Sequence, residues 1–174
     1  MSQSEDLSWM MPDQAFEWIE ENIPYGSKIL EFGSGKGSNR LSTNYCLYSV
    51  EHDPLWISKF DTNYIYAPIR FFADTAEGKG IGWYDADIIN ANLPDGEFSL
   101  IIIDGPPKAI GRRGILNHVS ILNRTNHVLI DDLQRDEEFE LSQEISRVIG
   151  LHCIHLGKCQ TNGQERQFGV FQRN

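Results

Sequence analysis

The sequence has 174 residues and carries 25 acidic against 15 basic side chains, a formal net charge of −10. This excess of negative charge argues against broad electrostatic binding to a phosphate backbone, so a nucleic-acid partner is not expected. No stretch approaches the roughly 18 apolar residues of a membrane span, and no signal-peptide pattern begins the chain. We therefore expect a cytoplasmic protein that does not bind membranes, with its cysteines reduced.

Patterns typical of strands and helices alternate along the chain, so a single domain spanning 1–174 is expected. Pro12 and Asp13 predict the start of a helix within an N-terminal helical segment, 1–26. Short apolar runs predict strands at 28–32, 45–50, 63–69, 98–104 and 127–130.

The segments between and after these strands predict helices, one long connection and a hairpin. Pro54 predicts a short helix, and the Gly and Asp content after residue 69 predicts a loop that continues to about Gly96. Apolar positions over 115–122 predict a helix, and "DEEFELSQEISRVIG", with acids in its first turn and a terminal Gly, predicts another. The tail, 152–173, predicts two strands around an Asn-Gly turn, a β-hairpin.

This order of elements predicts an α/β fold with a doubly wound, mostly parallel sheet and a C-terminal antiparallel hairpin. The continuous apolar run "FSLIIID" is typical of a central strand that is covered on both faces. In such sheets, ligands bind at the carboxyl ends of the strands, near the point where the strand order reverses.

A glycine-rich loop follows the first predicted strand, in "KILEFGSGKGSNRLS". Gly33, Gly35 and Gly37 allow the main chain to turn tightly and to approach a ligand closely, and the next helix presents unpaired N–H groups there. The second strand ends at Glu51, whose carboxylate can accept both hydroxyl hydrogens of a ribose. Glu31 places a negative charge ahead of the loop, which suits an ammonium group better than a pyrophosphate.

The arrangement E-x-G-x-G-x-G resembles the first motif of class I S-adenosylmethionine-dependent methyltransferases. The resemblance extends over 28–132, through "VEHD", "IIIDGPP" and "VLIDD". It implies a Rossmann-like fold, S-adenosylmethionine as cofactor and methyl transfer as the activity; a nicotinamide cofactor is the alternative. The residues that it implies in cofactor binding are Glu31, Gly33, Ser34, Gly35, Lys36, Gly37, Glu51, His52 and Asp104.

The residues after the fourth and fifth strands bear on the chemistry. "DGPP" invites comparison with the signature of enzymes that methylate amino groups of bases, but Lys108 stands where that signature has an aromatic residue. Candidate general bases for an acceptor hydroxyl are Asp104, Asp131 and His118, and an acid at a strand end is preferred. In catechol-type O-methyltransferases, carboxylates at these places bind Mg²⁺, which implies a site at Asp104 with Asp131 or Asp132. We favour metal-free chemistry because Asp132 can instead cap the next helix.

A narrower resemblance concerns the acceptor. "YSVEHDPLWI", "GRRGIL" and "DDLQRDEE" are similar to motifs of small polysaccharide O-methyltransferases of the glucuronoxylan type, although Asp131 stands where those enzymes have a histidine. This implies a small-molecule or glycan acceptor, methylated on a sugar or uronate hydroxyl. Arg112, Arg113 and Arg135 are then expected to bind the substrate carboxylate.

Several alternatives stay open from the sequence. One alternative is methylation of nitrogen on a protein or small molecule, and another is binding of the cofactor without transfer of a methyl group. Because no inserted substrate domain is evident, a partner subunit or a homodimer is a further possibility for completing the acceptor site.

Overall fold

The computed structural model describes residues 10–74, 80–161 and 163–174. The start of the predicted N-terminal segment and Asn162 of the predicted hairpin turn lie outside these ranges. The helices are α1 Asp13–Asn22, α2 Lys36–Asn44, α3 Ala86–Asn92, α4 Val119–Leu122 and α5 Asp136–Ile149. The strands are β1 Lys28–Phe32, β2 Cys46–Glu51, β3 Asn63–Tyr66, β4 Ile69–Asp74, β5 Gly80–Tyr84, β6 Leu100–Ile103, β7 His127–Ile130, β8 Leu151–Thr161 and β9 Gln164–Arg173.

Seven strands form one sheet in the order β3-β2-β1-β6-β7-β9-β8. Strands β3, β2, β1, β6 and β7 are mutually parallel, and β9 pairs antiparallel with both β7 and β8. The predicted doubly wound sheet with a terminal antiparallel hairpin is therefore confirmed. The strand order reverses between β1 and β6, so their carboxyl ends border the crevice in which such folds bind ligands.

The core lies on both faces of the sheet, as the apolar run of β6 predicts. All four residues of β6 are fully buried. Ile101 and Ile103 pack into the cluster beneath α5, and Leu100 and Ile102 pack into the cluster beneath α1 and α2. Because side chains alternate along a strand, one short strand contributes to both layers of the core.

The prediction of a long loop after residue 69 is wrong. In its place β4 and β5 form a two-stranded antiparallel sheet, followed by α3. Asp85 caps α3, since its carboxylate accepts hydrogen bonds from the backbone N–H groups of Asp87 and Ile88. The strand β5 was not predicted because the glycines of "GIGWY" are more typical of a loop. Its Trp83 and Tyr84 are fully buried.

Three smaller expectations are also corrected. The segment from Pro54 forms turns rather than a helix, and Ser58 has a left-handed φ of 63°, which helical backbone does not allow. The third predicted strand ends at Tyr66, and β4 begins three residues later. The helix predicted over 115–122 begins as a 3₁₀ helix, Arg113–His118, before the single turn of α4.

None of the helices in the described part of the chain has the length and hydropathy needed to span a bilayer.

Candidate cofactor and acceptor site

A cavity of about 600 Å³ lies at the carboxyl ends of β1, β2 and β6, where the strand order reverses. The structure brings together at its wall most of the residues singled out in the sequence. Those that line the cavity are Gly33, Ser34, Gly35, Lys36, Glu51, His52, Asp104, Arg112 and Arg135. Those that do not are Glu31, Gly37, Arg113, His118 and Asp131.

The loops after β1 and β6 meet at two glycines. Gly33 has a φ of +90°, and a Cβ atom at this position would lie 2.9 Å from the Cα of Gly105. A Cβ atom on Gly105 would lie 2.8 Å from the Cα of Gly33. Neither position has room for a side chain, so the predicted cofactor loop and the loop that carries Asp104 are in direct contact.

Gly37 has a packing role in α2. A Cβ atom there would lie 2.6 Å from the Phe16 ring of α1. This glycine therefore lets the first turn of α2 pack closely on α1, and it does not form part of the cavity wall.

Glu51 is 3 % exposed, and its carboxylate connects the loops after β1 and β2. Its Oε2 accepts hydrogen bonds from the Ser34 backbone N–H at 2.9 Å and from the Ser34 hydroxyl at 2.8 Å. Its Oε1 accepts from the backbone N–H groups of His52 at 2.7 Å and Asp53 at 2.8 Å. Glu51 thus keeps a carboxylate at the cavity wall in one orientation.

Glu31 lies beneath the glycine loop. It is 4 % exposed, and its Oε1 accepts hydrogen bonds from the hydroxyls of Ser38 and Ser49. Strand alternation places Glu31 on the same sheet face as Ile29, the face that α1 and α2 cover. The ammonium-binding role expected for Glu31 remains a prediction.

Arg112 connects the ends of β6 and β7. It is 4 % exposed, and its guanidinium donates to the backbone oxygens of Asp131 at 2.8 Å and Asp104 at 2.6 Å. It also donates to the Asp132 carboxylate at 2.9 Å, and it lies 3.4 Å from the Asp104 carboxylate. Substrate binding by Arg112 remains a prediction, and these contacts show that its guanidinium already orders the protein's own acids.

The three acids at these strand ends have different electrostatic environments. Burial, with the neighbouring charge of Asp131, raises the pKa of Asp104 well above its usual range. Burial and the charge of Asp132 raise the pKa of Asp131. Burial opposes ionisation of Asp132 as well, but the adjacent Arg112 and Arg135 outweigh it and lower the pKa of Asp132. Of the three acids, Asp104 is the one that both lines the cavity and has a raised pKa. A raised pKa makes a carboxylate a stronger acceptor of protons, which suits a general base.

Arg166 is a cavity residue that the sequence did not single out. It lies on β9, and its guanidinium donates to the Asp131 carboxylate at 2.8 Å and lies 3.4 Å from that of Asp132. No local motif identifies it, because the antiparallel pairing of β9 with β7 is what brings the hairpin beside the acids. Trp56, Tyr84 and Lys108 also line the cavity.

The remaining predicted residues lie outside the cavity wall. Arg113 pairs with Glu144 of α5 in an exposed ion pair. His118 ends the 3₁₀ helix beside Phe72, and burial lowers the pKa of its imidazole. Their expected roles in substrate binding and as a general base remain predictions.

Asp104, Asp131 and Asp132 are close enough to share a cation, since one oxygen from each lies within 4.8 Å of the others. The guanidinium groups of Arg112 and Arg166 contact the same carboxylates. These positive charges already compensate the buried acids, which weakens the electrostatic demand for a metal ion.

Three observations indicate that the residues at the cavity wall suit S-adenosylmethionine as a ligand. The backbone of Gly33, Gly35 and Gly105 lines the cavity, and Glu51 keeps at its wall the carboxylate that is predicted to accept the ribose hydroxyls. The Tyr84 hydroxyl at the wall is buried and has no hydrogen-bond partner among the described residues. Burying an unpartnered hydroxyl is unfavourable, so this group favours a polar ligand nearby.

No family model matches this chain, and no curated protein matches it. Solved structures match nearly the whole of this chain and about half to nearly all of their own length. The magnesium protoporphyrin IX methyltransferase of Synechocystis PCC 6803, with bound S-adenosylmethionine, has a TM-score of 0.59 and 9 % identity, over 100 % of this chain and 86 % of that one. The N-methyltransferase NodS of Bradyrhizobium japonicum WM9 has a TM-score of 0.60 and 12 % identity, over 97 % of this chain and 98 % of that one.

A methyltransferase from Pyrococcus furiosus matches with a TM-score of 0.57 and 14 % identity, over 94 % of this chain and 83 % of that one. At these identities the likeness concerns the fold. The chain thus has the fold of these methyltransferases, one of which was solved with bound S-adenosylmethionine, and this confirms at the level of the fold the resemblance expected from the glycine loop.

Proposed function

We propose that this chain is an S-adenosylmethionine-dependent methyltransferase that acts on a hydroxyl oxygen of a small molecule or glycan, with a uronate as the favoured acceptor. The observation that carries this proposal is the single cavity in which the glycine loop and Glu51 lie beside Asp104. A cofactor site and a candidate general base therefore share one space.

The cofactor end of the cavity has the groups that a sulfonium nucleoside needs. If S-adenosylmethionine is bound here, the backbone of Gly33 and Gly35 would contact it, Glu51 would accept the ribose hydroxyls, and His52 would lie beside the adenosine. When bound, S-adenosylmethionine supplies an electrophilic methyl group. The carboxylate of Glu51 gives this end of the wall a negative group that suits a cationic ligand.

Asp104 supplies the base at the acceptor end. Its side chain is 25 % exposed, and its carboxylate accepts the proton of the acceptor hydroxyl as the oxygen attacks. Arg112 keeps the backbone of Asp104 in place from the opposite side. With both ligands bound, the loops would hold the acceptor hydroxyl close to the methyl group, and such positioning is a large part of the rate enhancement expected for a two-substrate reaction.

The positive side chains of the wall favour an anionic acceptor. Arg135 is 30 % exposed at the cavity and pairs with Asp132, and Lys108 is exposed on the loop after β6. Their charges can bind a substrate carboxylate, as a uronate offers. The acceptors named for proteins of this fold differ widely, so the wall of this cavity is a better guide to the acceptor than the fold.

N-methylation is the second candidate. It is favoured by the fold match to NodS, which is an N-methyltransferase. The two candidates predict different linkages in the product, either a methyl ether or a methylated amine.

The test incubates the protein with S-adenosylmethionine labelled in the methyl group and a pool of metabolites that includes neutral and anionic sugars. We expect S-adenosylhomocysteine to form, with the label on oxygen of a carboxylate-bearing sugar. Label on nitrogen supports the second candidate. Cofactor binding without S-adenosylhomocysteine formation against any acceptor would contradict both and indicate a silent cofactor-binding module.

Chelation of divalent metal ions is expected to leave most of the activity. Arg112 and Arg166 already compensate the carboxylates that would bind a metal ion. The measurement is the methyl-transfer rate before and after dialysis against EDTA. Complete loss of transfer, restored by Mg²⁺, would show instead that the three aspartates bind a catalytic ion.

A further inference from the structure

A chain of hydrogen bonds leads from the cavity wall to Glu31. The Gly35 backbone N–H donates to the Ser38 hydroxyl oxygen at 3.0 Å, and the Ser38 hydroxyl donates to Glu31 Oε1 at 2.5 Å. Gly35 lines the cavity and precedes the first turn of α2, whereas Glu31 does not reach the cavity. Ser38 is therefore the link through which Glu31 acts on the loop.

A second serine holds the same carboxylate oxygen from the strand side. The Ser49 hydroxyl donates to Glu31 Oε1 at 2.6 Å, and the hydroxyls of Ser49 and Thr62 lie 2.7 Å apart. The Thr62 hydroxyl also lies 3.0 Å from the Leu47 backbone oxygen, and its one hydrogen can be donated either there or to Ser49. Because Ser38 of α2 and Ser49 of β2 both donate to Glu31 Oε1, Glu31 has one defined position relative to the glycine loop.

We propose that Glu31 is a positioning residue, which in its ionised form orients the Gly35 amide through Ser38 and so makes cofactor affinity depend on pH. This inference rests on the proposed function and adds a form of regulation to it. An ionised carboxylate binds a hydroxyl donor more strongly than a neutral carboxyl does. Protonation of Glu31 therefore loosens Ser38 and, with it, the loop.

The groups around Glu31 place its titration in the physiological range. Burial raises the pKa of Glu31 to about 7, the hydroxyls of Ser38 and Ser49 oppose this, and the charge of Glu51 adds to it. The other titratable groups that interact with Glu31 are Tyr64 on β3, Tyr84 on β5 and Asp104 after β6.

Stability should respond to pH in the opposite direction from cofactor binding. The pKa of Glu31 is raised on folding, so its contribution to stability is full below its unfolded value of about 4.5 and is lost as the pH rises through about 7. Replacing Glu31 with Gln removes the buried charge but keeps an oxygen for the two serines. The variant should therefore be more stable than the wild type at pH 8.5 and yet bind the cofactor less well.

The experiment measures S-adenosylmethionine binding by calorimetry at pH 6 and pH 8.5, together with thermal unfolding. We expect the wild type to bind about tenfold more tightly at pH 8.5 than at pH 6, the size of one charge-assisted hydrogen bond. Glu31→Gln should bind at the weaker level at both values, with a Tm about 2–6 °C higher at pH 8.5. Titration of the cofactor itself changes binding equally in the wild type and in Glu31→Gln. The pH response measured for the variant therefore gives the part that is due to the cofactor.

Ser38→Ala distinguishes positioning of the glycine loop by Glu31 from a direct effect of the Glu31 charge on the cofactor. Glu97→Gln, at an exposed position, is the matched control. Ser38→Ala should lose the pH response together with affinity, while Glu97→Gln should match the wild type. A pH response as large as that of the wild type in Ser38→Ala, or in Glu31→Gln, would overturn the inference while the proposed function stands. Absence of cofactor binding by the wild type would refute the proposed function, and the inference would fall with it.

Discussion

Replacing Asp104 with Asn is expected to lower kcat about 10²- to 10⁴-fold, the usual contribution of a general base. Asn is nearly isosteric and can keep the weak 3.4 Å contact with Arg112, but it accepts no proton at neutral pH. The Asp104 backbone bond to Arg112 is untouched by the change, so the loop should keep its place. Cofactor affinity, measured separately by calorimetry, should fall less than tenfold.

The same assignment predicts how the methyl-transfer rate changes with pH. The pKa of Asp104 is raised, and a base works only when it is deprotonated, so the wild-type rate should increase as the pH rises through that pKa. Asp104→Asn should remove this dependence. The exposed Asp95→Asn is the matched control and should have wild-type kinetics. If Asp104→Asn retains more than a tenth of wild-type kcat, Asp104 is not the base.

Replacing Glu51 with Ala is expected to weaken S-adenosylmethionine binding by about 1–3 kcal/mol, or roughly 5- to 150-fold. The variant loses the carboxylate assigned to the ribose hydroxyls. It also leaves the backbone N–H groups of Ser34, His52 and Asp53 without their acceptor, so the two loops lose their connection. Equilibrium binding of S-adenosylmethionine and of adenosine measures the effect, and both should weaken because both carry the ribose.

Two variants distinguish the ribose contact from the loop connection. Ser34→Ala removes one hydroxyl donor to Glu51 while leaving the carboxylate, and it should bind adenosine within threefold of the wild type. The exposed Glu97→Ala controls for loss of a surface charge. Unchanged adenosine affinity in Glu51→Ala would refute the ribose role.

Local pattern was sufficient to locate the cofactor side of the candidate site. Gly33, Gly35 and Glu51 were identified because glycine spacing and an acid at a strand end are features of consecutive residues. Topology rules then placed both at the same sheet edge, since parallel strands joined by right-handed crossovers end on one side. The cavity found there includes all three residues.

Side-chain direction was harder to obtain from sequence. The ammonium-binding role predicted for Glu31 assumed that an acid beside a glycine loop faces the ligand. In the structure it has the same orientation as Ile29, beneath α2, where Ser38 meets it. The period of two along β1 contained this information, but only the position of α2 shows which face is covered.

The sequence by itself predicted a mostly parallel sheet, the terminal hairpin and the glycine loop with its flanking acids, because each depends on residues within one local unit, either strand–turn–helix or strand–turn–strand. Tertiary structure alone decided which charges meet at the acceptor end. Arg112, Asp132 and Arg166 come from three separate segments, and their distances of 2.9 and 3.4 Å result from pairing between β6, β7 and β9. Long-range strand pairing cannot be predicted from a local sequence pattern, because the residues near Arg166 do not indicate which strand β9 pairs with.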